Sequence, residues 1–267
     1  MSHSLPDAPI ERLLAIMAAL RHPEHGCPWD RKQTLATIVP HTLEEAYEVA
    51  DAIERNDLAE LPGELGDLLF QVVFYARIAE EAGQFDFVEV VNRLNDKLVQ
   101  RHPHVFAGLQ ADEATIKANW EQGKAQERAD KAQHSALDNV PLNLPALSRS
   151  VKLQKRVARV GFDWDSLGPV MEKIVEEIDE VMEEAHQAVL DQARLEEEMG
   201  DLLFAVTNLA RHLNVNPEQA LRKANLKFEK RFRQVEARCA ESGLAVDRAG
   251  LDQLEAFWQQ VKASEKR

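Results

Sequence analysis

The sequence predicts an all-α protein built as a tandem repeat of two bundles of four to five helices each. Three observations carry this: the chain repeats itself, its apolar residues recur at helical spacing, and no stretch alternates convincingly as a strand. Its 267 residues are 45% hydrophobic, enough for two cores.

The repeat is read first. Gly26-Cys-Pro-Trp29-Asp30 returns as Gly161-Phe-Asp-Trp164-Asp165, and Glu44-Glu45-Ala-Tyr-Glu48 as Glu176-Glu177-Ile-Asp-Glu180. Glu64-Leu-Gly-Asp67-Leu-Leu-Phe70 then returns as Glu198-Met-Gly-Asp201-Leu-Leu-Phe204. Asn95, Lys97 and Arg101 recur as Asn225, Lys227 and Arg231, and Trp120 with Lys124 as Trp258 with Lys262. Matches in one order, with small length differences only between them, mean duplication of a module of about 130 residues, a normal domain size. The expected division is an N-terminal module over 1–128, a linker over 129–146 and a C-terminal module over 147–267. Pro141, Pro145 and the loss of helical periodicity mark the linker.

Within the second module, Ile174, Ile178, Val181 and Met182 follow one helical stripe, and Phe228, Phe232 and Val235 another. Asn216 before Pro217 reads as a helix start, asparagine at the cap and proline in the first turn.

Bulk chemistry excludes several classes. The formal net charge of -14 disfavours stable nucleic acid binding and means that a phosphate substrate arrives with a metal. Cys27 and Cys239 stand far apart with no ligand spacing, which fits a reducing cytoplasm. The opening MSHSLPDAPIERLL has no basic start followed by an apolar core, and no apolar run nears the roughly 20 residues of a membrane span. A cytoplasmic protein without membrane attachment is expected.

On a helix Glu177 and Glu180 share a face, as do Glu176 and Glu180. Such a face alone reads as solvated surface. Asp201, however, sits in Met199-Gly-Asp-Leu-Leu-Phe-Ala-Val-Thr-Asn-Leu-Ala210, apolar on nearly every side, with Glu198 one turn before it. A helix of that kind is expected to be largely buried, and a buried ionised carboxylate needs a partner. Asp67 repeats the problem in the first copy. Two helices each offering two carboxylates make an all-oxygen site, suited to Mg²⁺ with Mn²⁺ as substitute. A di-iron site needs ExxH on each of two helices. This chain has only Glu183 to His186, with Glu54 at the matching position of the first copy, so His186 is expected at the surface.

Downstream of each acid group lies a cationic helix, with Lys227, Lys230 and Arg231 in the second copy and Lys97 and Arg101 in the first. Taken alone it is an exposed helix with Glu229 as a ready partner; opposite carboxylates it suits phosphoryl chemistry, metal on one side of the phosphates and fixed cations on the other. Lys152, Lys155, Arg156 and Arg159 add charge before Trp164. Trp29, Trp120, Trp164 and Trp258 are first of all core candidates, with Trp258 the preferred base-stacking exception.

EExxE followed by ExxD, duplicated in tandem with GFDWD, EEEMGDLLF and KFEKRF in the second copy, closely resembles the MazG family of nucleoside triphosphate pyrophosphohydrolases. The resemblance spans about residues 10–265. It implies two MazG-like bundles, hydrolysis of NTPs and dNTPs to monophosphate and pyrophosphate with broad base acceptance, dependence on Mg²⁺, and a homodimer. By motif, Glu177, Glu180, Glu198 and Asp201 would be the metal-binding and catalytic carboxylates. Lys173, Glu197, Lys227, Lys230, Arg231 and Trp258 would contact the substrate.

The resemblance further implies activity in the C-terminal module and a structural N-terminal one, although the latter keeps Glu45, Glu48, Glu64 and Asp67. It departs from the second copy in having His41 for Lys173 and no counterpart of the basic run KLQKRVAR. The reading from another class is a non-catalytic helical protein whose acidic faces dock a basic partner.

Overall fold

The computed structural model describes residues 5–108, 112, 115–116, 123 and 135–265. All regular structure among them is helical, and the chain divides into two compact units, 1–127 and 128–267. No helix among the described residues is long and apolar enough to cross a membrane.

The first unit contains α1 (Pro9–Leu20), α2 (Leu35–Glu54), α3 (Leu61–Glu81), α4 (Phe87–Arg101) and the single turn α5 (Pro103–Phe106). Thr34 starts α2 with a capping box closed by Thr37, and Asp86 caps α4 by accepting from the Glu89 amide at 2.8 Å. α2 and α3 pack as a hairpin, and α1 lies on α3. Met17, Ile38, Val73 and Phe74 interlock there, each at most 1% exposed.

The second unit contains α6 (Ala146–Ala158), α7 (Leu167–Ala185), α8 (Gln192–His212), α9 (Pro217–Glu241) and α10 (Leu251–Ser264). Asn216 caps α9 with Pro217 in the first turn, accepting from the Gln219 amide at 3.2 Å. Asp191 caps α8 by accepting from the Ala193 and Arg194 amides. α7 and α8 form the hairpin that matches α2 and α3. Val235, Cys239, Phe257 and Val261 form a dry core between α9 and α10, whereas the interface of α6 with α8 is polar, with Ser150, Gln154 and Thr207 hydrogen-bonded together. Val140, inside the expected linker, is buried.

The repeated glycine before each tryptophan is required for two different reasons. Gly161 adopts φ 87°, a left-handed conformation that costs any residue with a Cβ. Gly26 is instead pressed on α1, and a Cβ there would stand 2.4 Å from the Leu20 carbonyl oxygen and 2.6 Å from the His22 amide nitrogen. Both contacts are backbone and cannot rotate away, so Gly26→Ala is expected to destabilise the first unit by about 1–3 kcal/mol. Urea unfolding followed by circular dichroism measures the loss.

Candidate functional site

In α7, Glu177 and Glu180 lie three residues apart and face α8, which presents Glu198. One carboxylate oxygen from each of the three lies within 4.8 Å of the others. Glu177 is the anchor, only 3% exposed. Its Oε1 pairs with Lys173 Nζ at 2.6 Å, one turn earlier, and its Oε2 is buried with no hydrogen-bond partner. Lys173 also holds Glu176 at 2.7 Å, and these two carboxylates, Glu176 first, push its pKa upward. Glu198 accepts from Arg194 at 3.3 Å, an arginine shared with Glu184. Loss of hydration raises the Glu180 carboxyl above its ordinary value, and the neighbouring charges of Glu177 and Glu198 add to it.

Three converging carboxylates, one with an oxygen stranded out of water, are poorly compensated by one lysine and one arginine. A hard divalent cation completes such an oxygen set, and the donors fit magnesium or manganese better than zinc or copper. Asp201, one turn beyond Glu198, is not among the three converging groups, but with Lys173 and Glu177 it lines a cleft of about 670 Å³ between α6, α7 and α8. Phe162, Trp164 and Phe204 supply aromatic lining. The Phe162–Trp164 loop is tied down by Asp163, which pairs with Arg211 on α8 through Oδ2 and Nη1 at 2.8 Å and is held below the usual carboxylate range chiefly by that bond.

The first unit repeats the acid geometry with Glu45, Glu48 and Glu64, again within 4.8 Å, and Asp67 again outside the trio. Its surroundings differ. His41 stands where the second copy has Lys173, with its ring edge-on to Trp29 and its Nδ1 3.7 Å from Glu44. No basic side chain pairs with Glu45 among the described residues, and burial first, then Glu48 and Asp67, raises its carboxyl. Glu64 is raised as well, by desolvation and then Glu48.

The cations are carried by α9. Lys227 and Lys230 are exposed on α9, while Arg231 binds Glu265 at 2.6 Å and sits 5.9 Å from the Trp258 ring. Trp258 in turn packs on Phe228, with ring centroids 5.3 Å apart. The hydrogen-bonded Arg231 holds the Glu265 carboxyl below its ordinary value, with the charges of Lys230 and Lys227 adding to it. None of these groups is among the described residues lining the cleft. Glu197 is exposed on α8; Lys97 is exposed and Arg101 half-buried on α4.

Several sequence expectations are corrected. Asp201 and Asp67 are exposed rather than buried, because α8 and α3 leave one apolar side uncovered; Met199, Leu203 and Val206 are all exposed. The electrostatic need for metal therefore rests on Glu177 instead. Trp29 and Trp164 are not core residues, at 52% and 42% exposed, and Trp164 lines the cleft while Trp258 is half-buried. Glu229 pairs with Arg233 and not with the phosphate-type cations. Trp120 and Lys124 lie outside the described residues. His186 is exposed, as expected, with Nδ1 2.6 Å from the Met182 carbonyl. Sequence reasoning passed over Gln154 and Asn208, both buried and both lining the cleft. For Asn208 the available signal was a polar residue where the first copy has Phe74.

The MazG nucleotide pyrophosphohydrolase domain model matches residues 33–106 and 167–236, the segments that contain both acid trios. Over 257 residues the chain is 62% identical to a nucleoside triphosphate pyrophosphohydrolase of Escherichia coli (strain K12), covering 96% of this chain and 98% of that one. It is 43% identical to the nucleoside triphosphate pyrophosphohydrolase/pyrophosphatase MazG of Thermotoga maritima, covering 96% of each. A nucleoside triphosphate pyrophosphohydrolase of Mycobacterium tuberculosis is 33% identical over 90% of this chain and 61% of its own length.

Proposed function

The chain belongs to the MazG nucleotide pyrophosphohydrolase family, and we propose that it is a Mg²⁺-dependent hydrolase converting (d)NTP and water to (d)NMP and pyrophosphate, with broad base acceptance. The observation that carries this is the convergence of Glu177, Glu180 and Glu198 beside the cleft, with one oxygen of Glu177 buried and unpartnered.

Glu177, Glu180 and Glu198 would hold the magnesium, with Asp201 at the cleft. When bound, the ion neutralises phosphate charge and acidifies a water. In the overall reaction the α–β anhydride would break by addition of water at the α-phosphorus, the new hydroxyl staying on the monophosphate and pyrophosphate leaving with the bridging oxygen. One of these glutamates, Glu177 in our reading, would orient the water as general base. Lys227, Lys230 and Arg231 balance the triphosphate charge once Glu265 gives way, and Glu197 and Trp258 belong to the same substrate set.

A homodimer is part of this proposal. Met171, Val175, Ile178 and Met182 form an exposed stripe along α7, and Met199, Leu203 and Val206 one along α8. Apolar stripes at helical spacing are what a second copy would cover. Light scattering is expected to give twice the mass of one chain. We further place the activity in the second unit, in a reducing cytoplasm, with the first unit structural.

Pyrophosphate release measured across the common NTPs and dNTPs, with and without Mg²⁺, tests the reading. Metal-dependent release from several of them is the expected result, and no release from any nucleotide would leave the acidic faces as docking surfaces. The double variant Glu48→Gln, Asp67→Asn is expected to keep most of the turnover; a fall to about half, with oligomeric state unchanged, would show both units working.

A further inference from the structure

The end of α10 brings one of the chain's own carboxylates onto the cations of α9. Arg231 donates to Glu265 through Nε at 2.9 Å and Nη2 at 2.6 Å, and both N–H groups reach the same oxygen, Oε2. A guanidinium holds a phosphate oxygen with the same donors. The two side chains are only 20% and 30% exposed, so water screens the pair less than an ordinary surface ion pair. Lys227 and Lys230 add their charge to the hold on Glu265, which is therefore ionised at neutral pH.

Packing fixes where this carboxylate stands. Val261, one turn before it, is fully buried with Val235, Cys239 and Phe257, so the end of α10 is docked on α9. Glu265 itself lies just past the last helical residue, outside that core, and rotation about its side-chain bonds withdraws the carboxylate without moving the backbone. Arg231 keeps its place when the carboxylate swings away. Its guanidinium lies 5.9 Å from the Trp258 ring, which packs on Phe228 with centroids 5.3 Å apart. The sequence repeat carries a glutamate at the same step: Glu127 follows Trp120 as Glu265 follows Trp258, seven residues on in each copy. The carboxylate thus belongs to the repeated module.

We infer that Glu265 is a built-in competitor of the triphosphate: it occupies Arg231 in the free protein, and the phosphates displace it to bind. The inference rests on the pyrophosphohydrolase reading, in which Lys227, Lys230 and Arg231 balance the phosphate charge. A polyphosphate sets several charges against one carboxylate and wins the exchange. A site open for only part of the time binds with its affinity reduced by the open fraction. Glu265 therefore raises the KM for the nucleotide and weakens the hold on a free polyphosphate by the same factor, since both need the same open arginine. When the polyphosphate product leaves, the carboxylate returns to Arg231.

The test compares Glu265→Gln and Glu265→Ala with the wild type in the full-length chain. Glu255→Gln serves as control, since Glu255 is an exposed glutamate of the same helix bonded to Gln259. Steady-state kinetics with Mg²⁺ and the common NTPs give kcat and KM, and calorimetry in the same buffer gives the affinity for tripolyphosphate. In both Glu265 variants KM should fall and tripolyphosphate should bind more tightly, by one common factor of about three to ten, with kcat not raised. Glu255→Gln should leave both constants unchanged. Should one Glu265 variant lose its helical signal by circular dichroism, the other decides. Unchanged constants in the folded variants overturn the inference. So does a rise in both, which would make Glu265 a residue that positions Arg231 for the phosphates. An equal fall in Glu255→Gln overturns it as an effect of overall charge. A wild-type chain that hydrolyses no nucleotide overturns the pyrophosphohydrolase reading, and the calorimetric constants then decide the competition at Arg231 by themselves.

Discussion

Glu180→Gln is expected to lower Mg²⁺-dependent pyrophosphate release by about 10²–10³-fold, the scale set by removing one preorganised charged group from a phosphoryl-transfer site. The metal-free protein should meanwhile keep its helical signal and melt no lower than the wild type. Both results follow from the geometry. Glu180 is the least compensated of the three converging acids, since Glu177 has Lys173 and Glu198 has Arg194. Its carboxyl is raised by desolvation and by Glu177 and Glu198. A carboxyl with a higher pKa folded than unfolded binds its proton more tightly in the folded state, so its ionisation destabilises the fold as pH rises through that range. A neutral glutamine removes this penalty at neutral pH. Thermal melts at pH 7 with chelator, beside pyrophosphate assays with Mg²⁺, check both halves. Full turnover in the variant would remove Glu180 from the reaction, and a much lower melting temperature would give it a structural role instead.

The largest stability effect is expected at Phe74. It is fully buried among Met17, Ile38 and Val73, and truncating it removes the centre of the first unit's core. Phe74→Ala should cost about 3–5 kcal/mol, combining lost burial with the cavity left behind. Asn208→Ala, at the matching position of the second unit, opens onto a cleft that already exists and should cost far less. Urea unfolding of the two variants measures the contrast. Equal losses would show that the matching positions are packed alike.

The helices and the duplication were legible in the sequence because both rest on local pattern. Asn216 with Pro217 fixes the start of α9, and the spacing of Glu177 and Glu180 fixes their common face. The convergence of these two with Glu198 was legible too, once the repeat identified two acid-bearing helices. What the pattern could not convey is which apolar side of a helix is covered. Asp201 sits in a segment that looks buried, yet Met199 and Leu203 on either side of it are exposed. For the same reason Trp164 lines a cleft where composition suggested a core. Arg231 and Glu265 lie 34 residues apart, a pairing set by the packing of α10 on α9 and by no local spacing. Gln154 and Asn208 occupy ordinary inward positions of helices; nothing in the periodicity separates a residue facing a neighbour from one facing a void.

The contrast between Phe74 and Asn208 bears on how such a chain can change over generations. In a single bundle, hollowing the interior to admit a ligand weakens the contacts that keep the bundle folded, a conflict between activity and stability. With two copies the demands separate. The first is free to accumulate substitutions that tighten its interior, and the second can explore new shapes for its cleft. Divergence among such proteins should therefore collect around α6 and the Phe162–Trp164 loop, and should be slowest around Met17, Ile38, Val73 and Phe74.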